Sequence, residues 1–343
     1  MTSGQDRRRA RDAGIIIGHY APGPLNAITD VGDVRVGHCT LIEGPRTRTG
    51  ATAILPHGGD VFADKVPAGF AVLNGYGKFA GSTQIVELGE LETPIVLTNT
   101  LAVGRAMEAL VRWTLERSGP AGILSINAVV GETNDGRLND IRTARPSVDE
   151  IGAALAAARG GPVEEGAVGA GTGTIAFGRK GGIGTSSRLL PPESGGFTVG
   201  VLVQANYGGR LRVDGREIAA APADTDGSIV LLVATDAPLS SRNLTRLATR
   251  AFGGLARTGA ALSNGSGDYA LAFSTAEAVR RTPERRAAVH AYPDWPNEAM
   301  SPLFEATIEA AEEAILNALL MAVPMEGWDA LHDRPNRVGA LRL

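Results

Sequence analysis

The chain has 343 residues, 43% of them hydrophobic and 20% charged, with a formal net charge of −4 and a pI near 5.8. That balance supports a sizeable core and excludes wholesale disorder, while the mild acidity excludes the basic stripe of a nucleic-acid binder. Cys39 is the only cysteine, which rules out an intramolecular disulfide and argues against a cysteine-based metal site.

The start, MTSGQDRRRARDAGIIIG, is polar with only three consecutive isoleucines, too short for the apolar region of a secretion signal. No apolar run approaches the roughly 20 residues that span a bilayer, so no membrane partner and a cytoplasmic location are expected. Of the 33 basic residues only Lys65, Lys78 and Lys180 are lysines, which reads as coding bias rather than function. Short β-rich runs bounded by glycine predict strands at 33–41, 51–55, 69–73, 94–98, 122–130, 172–177, 197–204, 228–235 and 269–274. Runs of this kind suit sheets buried on both faces. Helical spacing predicts helices over 100–118, 147–159 (opened by Ser147, Asp149 and Glu150), 240–252 and 304–321. The last has the strongest amphipathic pattern, with Glu305, Glu309, Glu312 and Glu313 among alanines and leucines. A short polar hairpin, GGRLRVDGREI, leads into APADTDG, and 208–226 should be the most exposed stretch. Strands in bulk with a few long helices predict one layered α/β domain.

Several motifs invite chemistry. The block GAVGAGTGTIAFGRKGGIGTSS (166–187) is glycine-rich, but Gly178 is followed by Arg179 and Lys180 rather than Lys-Ser/Thr, and TIAFG reads as strand where a dinucleotide fingerprint needs a helix. Close backbone packing or main-chain contact with a substrate fits it better. His19, His38, His57, His290 and His332 lack metal-like spacing among themselves, so neither a metal nor another cofactor is expected. His38 and Cys39 are adjacent on a strand and point to opposite faces. Asn206 closes the strand in VLVQANYG, as a turn former or an oxyanion donor. Ser266 and Asp268, in SNGSGDYALAFS, are two apart and face the same way if extended. In DTDGSIVLLVATDAP, Gly227 and Ser228 stand directly before a buried strand. Turn chemistry explains each of these locally.

Set in order, GPLNAITDVGDVRVGHCTL (23–41), ETPIVLTNTLAVG (92–104), VVGETNDGRLND (129–140), GAGTGTIAFGRKGGIGTSSR (169–188), VQANYG (203–208), DGSIVLLVATDAPL (226–239) and NGSGDYALAFSTA (264–276) resemble the DmpA/BapA family. These are the S58 (P1) peptidases: self-processing L-aminopeptidase/D-esterase-amidases and β-peptidyl aminopeptidases. The resemblance runs from about residue 15 to 320. It implies an αββα sandwich of the DmpA/ornithine-acetyltransferase type and a homotetramer of processed protomers. It also implies a small peptide, amide or ester substrate with a free amine, and autoproteolysis at Gly227–Ser228 into chains 1–227 and 228–343. Glycine before the cut leaves attack unhindered. The cut frees an α-amino group on Ser228, with an unperturbed pKa of roughly 7.7–8, so nucleophile and base become one residue. By the same resemblance Ser266 would bond the Ser228 hydroxyl or amine, Asp268 would orient Ser266, Asn206 would donate to the oxyanion, and Glu132 would pair with the substrate ammonium. Asn134 departs from the pattern: it stands where aminopeptidases of the family carry a tyrosine, which bears on the rate or the shape near the substrate amine. The alternatives are an acyltransferase of the ornithine-acetyltransferase type, whose nucleophile is threonine rather than serine, and a scaffold impaired at Asn134.

Overall fold

The valine-, leucine- and isoleucine-rich runs become two stacked sheets, as strands apolar on both faces require. The structure is a computed structural model that describes residues 7–218 and 227–343. In chain order, β1 (Arg35–Glu43) and β2 (Thr47–Leu55) form a hairpin, followed by β3 (Val66–Gly75), β4 (Phe79–Ala80), α1 (Ser82–Leu88) and β5 (Glu90–Leu91). A parallel unit follows of β6 (Ile95–Asn99), α2 (Val103–Ser118) and β7 (Val129–Thr133), and then α3 (Val148–Ala156). The glycine-rich block holds β8 (Ile175–Ala176), β9 (Arg179–Lys180) and β10 (Gly182–Leu189); β11 (Thr198–Asn206) and the small hairpin β12 (Arg212–Val213) and β13 (Arg216–Glu217) come next. The remainder is β14 (Ser228–Thr235), α4 (Ser241–Arg257), β15 (Gly267–Ser274), α5 (Pro283–Arg286), α6 (Ser301–Leu320) and the hairpin β16 (Met325–Asp329) and β17 (Arg334–Val338).

One sheet has the order β1-β2-β6-β7-β4 and the other β10-β11-β14-β15-β3-β5. Their facing sides bury Ile54, Leu97 and Val129 against Leu202, Val230, Leu232 and Phe273. Helices α2 and α3 cover the outer face of the first sheet, and α4 and α6 that of the second. This is an αββα sandwich, as the resemblance implies. Strand β14 lies in the middle of its sheet, and every residue from Ile229 to Ala234 is fully buried. Helix α3 starts at a reciprocal capping box: Glu150 N–H donates to Ser147 Oγ, and Ser147 N–H donates to the Glu150 carboxylate.

Four expectations need correction. The run 122–130 pairs only from Val129 onward, because Glu92 takes the Asn127 N–H at 2.8 Å and its side-chain amide at 3.0 Å, holding that segment off the sheet. The run 172–177 shrinks to β8: the Thr172 and Thr174 hydroxyls donate back to the Gly169 and Gly171 carbonyls, making turns, and Phe177 has φ of 52°. Helix α6 shows only Glu305 of its four acids to water. Glu309, Glu312 and Glu313 are buried, because Arg188 of β10 and Arg257 of α4 meet them from both sides. The exposed stretch is only partly so: Asp214 to Glu217 at the hairpin tip are exposed, whereas Leu211 and Val213 pack into the core. The rest of it, residues 219–226 with the acidic Asp224 to Asp226, lies outside the described residues.

Candidate active site

The topology gathers four strand ends at one place. β15 runs parallel to β14, so both begin at the same edge, while antiparallel β11 and β3 finish there. In register, Asn206 of β11 faces Ser228 of β14, Ser228 faces Gly267 of β15, and Gly267 faces Gly75 of β3. From the facing sheet β7 brings Glu132 to the same cleft, a cavity of about 1200 Å³. Its walls include Lys78, Glu132, Asn134, Asn206, Gly227 and Ser228, and the loop and strand of the β16–β17 hairpin close one side.

Ser228 is half-buried, and its Oγ accepts the Gly267 N–H at 3.2 Å. The same N–H reaches the Gly227 carbonyl oxygen, also at 3.2 Å. Only glycine fits at position 227, since a β-carbon there would come within 2.2 Å of the Asn206 carbonyl oxygen. Ser266 and Asp268 do meet as their spacing predicts, with Ser266 Oγ donating to Asp268 Oδ1 at 2.6 Å. Both are buried behind the Ser228 wall, and burial pushes the Asp268 carboxyl up, against the pull of Ser266 and Asn74. Asn206 is buried, and its Oδ1 accepts the Ile175 N–H at 2.9 Å. That bond leaves the Nδ2 end of the amide for the cleft.

Glu132 is 3% exposed, with Oε1 held by the Lys78 N–H at 2.9 Å and by Lys78 Nζ at 3.4 Å. A side chain on Gly77 would enter the space between Glu132 Oε1 and the Tyr269 hydroxyl, so glycine keeps that corner open. Burial, with Glu132 and Asp268 nearby, raises the Tyr269 phenol. Asn134 is exposed at the cleft, and its Oδ1 accepts the Gly136 N–H at 2.9 Å, a local turn. Beneath the cleft Asp135 and Lys180 are buried: desolvation lifts the Asp135 carboxyl to about 6 against hydrogen bonds from Thr49, Asn139 and Asn99, and pushes the Lys180 ammonium down, a shift that the Asp135 charge opposes.

The structure therefore brings together Ser228, Gly227, Asn206, Glu132 and Asn134 around one cavity, with Ser266 and Asp268 packed behind. Reading the residues alone misses Gly267, Lys78, Ile175, Lys180 and Tyr269. Two of these carried a signal, being lysines in an arginine-rich chain. The one cluster with ligand atoms close enough for a metal among the described residues is His19, Glu305 and Glu309. Glu309 there already accepts the His19 and Tyr20 N–H groups and Arg188.

A hydroxyl at the first residue of a central strand, flanked by an amide and backed by a Ser–Asp pair on an αββα sandwich, is the arrangement that the resemblance to N-terminal-nucleophile hydrolases implies. None of the described residues lining its cleft is a histidine. The family model described as Peptidase family S58 matches residues 26–332, and the chain belongs to that family. It is 40% identical over 351 residues to the β-peptidyl aminopeptidase BapA of Sphingosinicella xenopeptidilytica, covering 93% of this chain and 86% of that protein. The structure of the PH0078 protein from Pyrococcus horikoshii OT3 superposes with a TM-score of 0.89 at 45% identity, covering 98% of this chain and 96% of that one. That of the L-aminopeptidase D-Ala-esterase/amidase from Ochrobactrum anthropi, a serine aminopeptidase with a variant of the Ntn-hydrolase fold, gives 0.87 at 38% identity, covering 97% and 95%. The chain is accordingly an aminopeptidase or amidase of the hydrolase class; the acyltransferase alternative is not favoured.

Proposed function

We propose that the chain cuts itself between Gly227 and Ser228 and that the new N-terminal Ser228 then removes N-terminal residues from small peptides, amides or esters. The observation that carries this is one N–H, that of Gly267, bonded to both the Ser228 Oγ and the Gly227 carbonyl oxygen. In self-cleavage Oγ attacks the Gly227 carbonyl carbon, the C–N bond breaks, and the nitrogen takes up the hydroxyl proton to give an ester. Water then releases chains 1–227 and 228–343. The freed α-amine of Ser228 has an unperturbed pKa of roughly 7.7–8, suited to a general base near neutrality.

In turnover that amine takes the Oγ proton while Oγ attacks the substrate carbonyl. The Asn206 Nδ2–H and the Gly267 N–H stabilise the oxyanion, the leaving amine departs with the proton, and water hydrolyses the acyl-serine. The Ser266–Asp268 pair sits behind Ser228 and supports its amine. Glu132, buried and negative, takes the substrate ammonium, which restricts cutting to chain starts. Asn134 shapes the mouth of that subsite. It is an exposed turn former, so it takes nothing from the nucleophile, and no observation favours the impaired scaffold. The homotetramer implied by the resemblance and the cytoplasmic location expected from the sequence belong to this proposal; Val72, Leu73 and Tyr76, exposed on and just after β3, offer apolar surface for assembly. No helix among the described residues is long and apolar enough to cross a membrane.

A denaturing gel tests the reading: two bands at roughly two-thirds and one-third of the 35.5 kDa chain are expected. One intact band persisting for days would overturn it. A panel of L-Ala, D-Ala, Gly and β-Ala p-nitroanilides then sets the substrate preference.

A further inference from the structure

The glycine-rich block and the scarcity of lysine meet at one atom. Lys180 is fully buried, and its Nζ donates to the carbonyl oxygens of Gly171 at 2.7 Å, Thr174 at 2.8 Å and Gly181 at 3.0 Å. An ammonium has three donors, and all three are used. The turn they tie together is cross-braced. Gly181 N–H returns to the Thr174 carbonyl at 3.0 Å, and the Thr174 hydroxyl bonds the Gly171 carbonyl at 3.0 Å. Ile175, the next residue, carries the N–H that holds Asn206 Oδ1. A carboxamide has a donor end and an acceptor end of nearly the same shape, so this one bond decides which end faces the cleft.

We propose that Lys180 is a positioning residue for the oxyanion contact: it locks the 171–176 turn so that Ile175 N–H aims Asn206 Nδ2 at the carbonyl being attacked. The inference rests on the role given to Asn206 above. It explains a lysine in a chain whose other basic residues are nearly all arginine. Three carbonyls converging on one point fit a compact tetrahedral ammonium; a planar guanidinium spreads its donors over a wider fork and cannot reach all three. It also explains why the block looks like a phosphate loop and is not one: its main-chain carbonyls turn inward onto Lys180, occupied within the protein.

The test is a double-mutant cycle in kcat, normalised to the amount of cleaved chain, with Lys180→Met, Asn206→Ala and the pair. Lys180→Met should lower kcat roughly 10- to 100-fold with KM within about threefold, a part of the 10²–10³ that a lost oxyanion donor costs. In the Asn206→Ala background the same change should cost less than about threefold. Lys180→Arg should lose as much as Lys180→Met. Losses that multiply across the two backgrounds, or wild-type kcat in Lys180→Arg, would overturn the inference and leave the function intact. Wild-type kcat in Asn206→Ala alone would instead overturn the role of Asn206. Should Lys180→Met fail to fold, Ile175→Pro removes the connecting N–H at a half-buried position and must reproduce the kcat loss; unchanged turnover there refutes the coupling.

Discussion

Between β10 and α6, Arg188 is wholly buried and every donor group finds an acceptor: Nε on Glu309 at 3.0 Å, one terminal nitrogen on the Ser187 carbonyl at 2.8 Å, the other on the Ile17 carbonyl at 2.9 Å and on Glu313 at 2.8 Å. Glu313 is further held by Arg11 and Asn26. At the strand ends around Ser228, groups just as polar are left open. The Ser228 hydroxyl accepts one bond and donates to no described residue, Asn206 Nδ2 makes none among the described residues, and Asp268 Oδ2 is buried facing Asn74 without an ordinary hydrogen bond. Closed valences hold elements in place, and open ones wait for a reacting group, because an unmet buried donor costs about 1–3 kcal/mol that only a ligand repays. The seam also has a place in the proposed processing. Arg188, Arg11 and Asn26 belong to 1–227 and Glu309 and Glu313 to 228–343, so closed valences would keep the two chains together after the cut.

Two substitutions should separate these roles. Ser228→Ala is expected to abolish self-cleavage and to lower turnover about 10⁶-fold, with unfolding free energy within about 0.5 kcal/mol of wild type. Retained hydrolysis would point to another nucleophile. Arg188→Met should do the reverse. It takes the shared cation from Glu309 and Glu313, leaving Glu309 with the His19 and Tyr20 N–H groups and Glu313 with Arg11 and Asn26, at a cost of about 3 kcal/mol, read as a lower denaturant midpoint, with kcat of the surviving folded protein near wild type. If the cut occurs, gel filtration in mild denaturant should show the two chains of Arg188→Met parting, and the uncut Ser228→Ala/Arg188→Met double variant losing equal stability without parting. A midpoint unchanged by Arg188→Met would remove the seam from the account.

Glu132 tests the open side more finely. Among the described residues its carboxylate is engaged by Lys78 alone, so a substrate ammonium meets a partly neutralised, buried charge. Glu132→Gln keeps the shape, and the loss of a charged hydrogen bond of about 1.5–3 kcal/mol predicts a fall in kcat/KM of roughly 10- to 100-fold. Self-cleavage should keep its rate, because the precursor offers no free amine to that pocket. Slower precursor processing in Glu132→Gln would mean that the carboxylate works on the nucleophile rather than on the substrate.

The sequence made the α/β layering legible because its central runs are apolar on both faces, and it singled out Ser228, Asn206, Ser266 and Asp268 because each lies at or next to a strand end, while the αββα sandwich and their roles came from the resemblance. Glu132 came from resemblance alone: a glutamate at the end of a β-branched strand says nothing of what faces it. What stayed hidden depends on pairings far along the chain. A helical period shows which side of α6 carries its glutamates, yet whether that side meets water or Arg188 is decided by β10 more than a hundred residues earlier. Likewise no local pattern links Lys180 to Asn206 or supplies the Gly267 N–H, which is backbone and has no residue type to read. The phenol that the resemblance places after Glu-Thr is absent at Asn134, while Tyr269, beside the nucleophile's own strand, brings another next to Glu132.

His38 offers the smallest and most discriminating case, since it has an open valence outside the cleft. Its Nδ1 bonds the Thr52 hydroxyl at 2.9 Å, while Nε2 is buried near the Glu164 backbone with no ordinary hydrogen bond among the described residues. Burial, with Arg159 adding to it, lowers its pKa to about 4. A base depressed on folding is neutral in the native state and must be protonated against its surroundings in acid. Its contribution to stability is complete above the unfolded value near 6.5, declines as pH falls from there to about 4, and is constant below. The full shift corresponds to about 3 kcal/mol, which partial exposure trims to roughly 2 kcal/mol. His38→Gln should therefore flatten the stability profile between pH 7 and 4 by that amount and leave kcat at pH 7.5 unchanged. If His38→Gln lost turnover instead, an open valence would mark catalysis wherever it occurs. If neither quantity moved, His38 would be solvated in the native state, and openness would have to be judged by access to the cavity as well as by missing bonds.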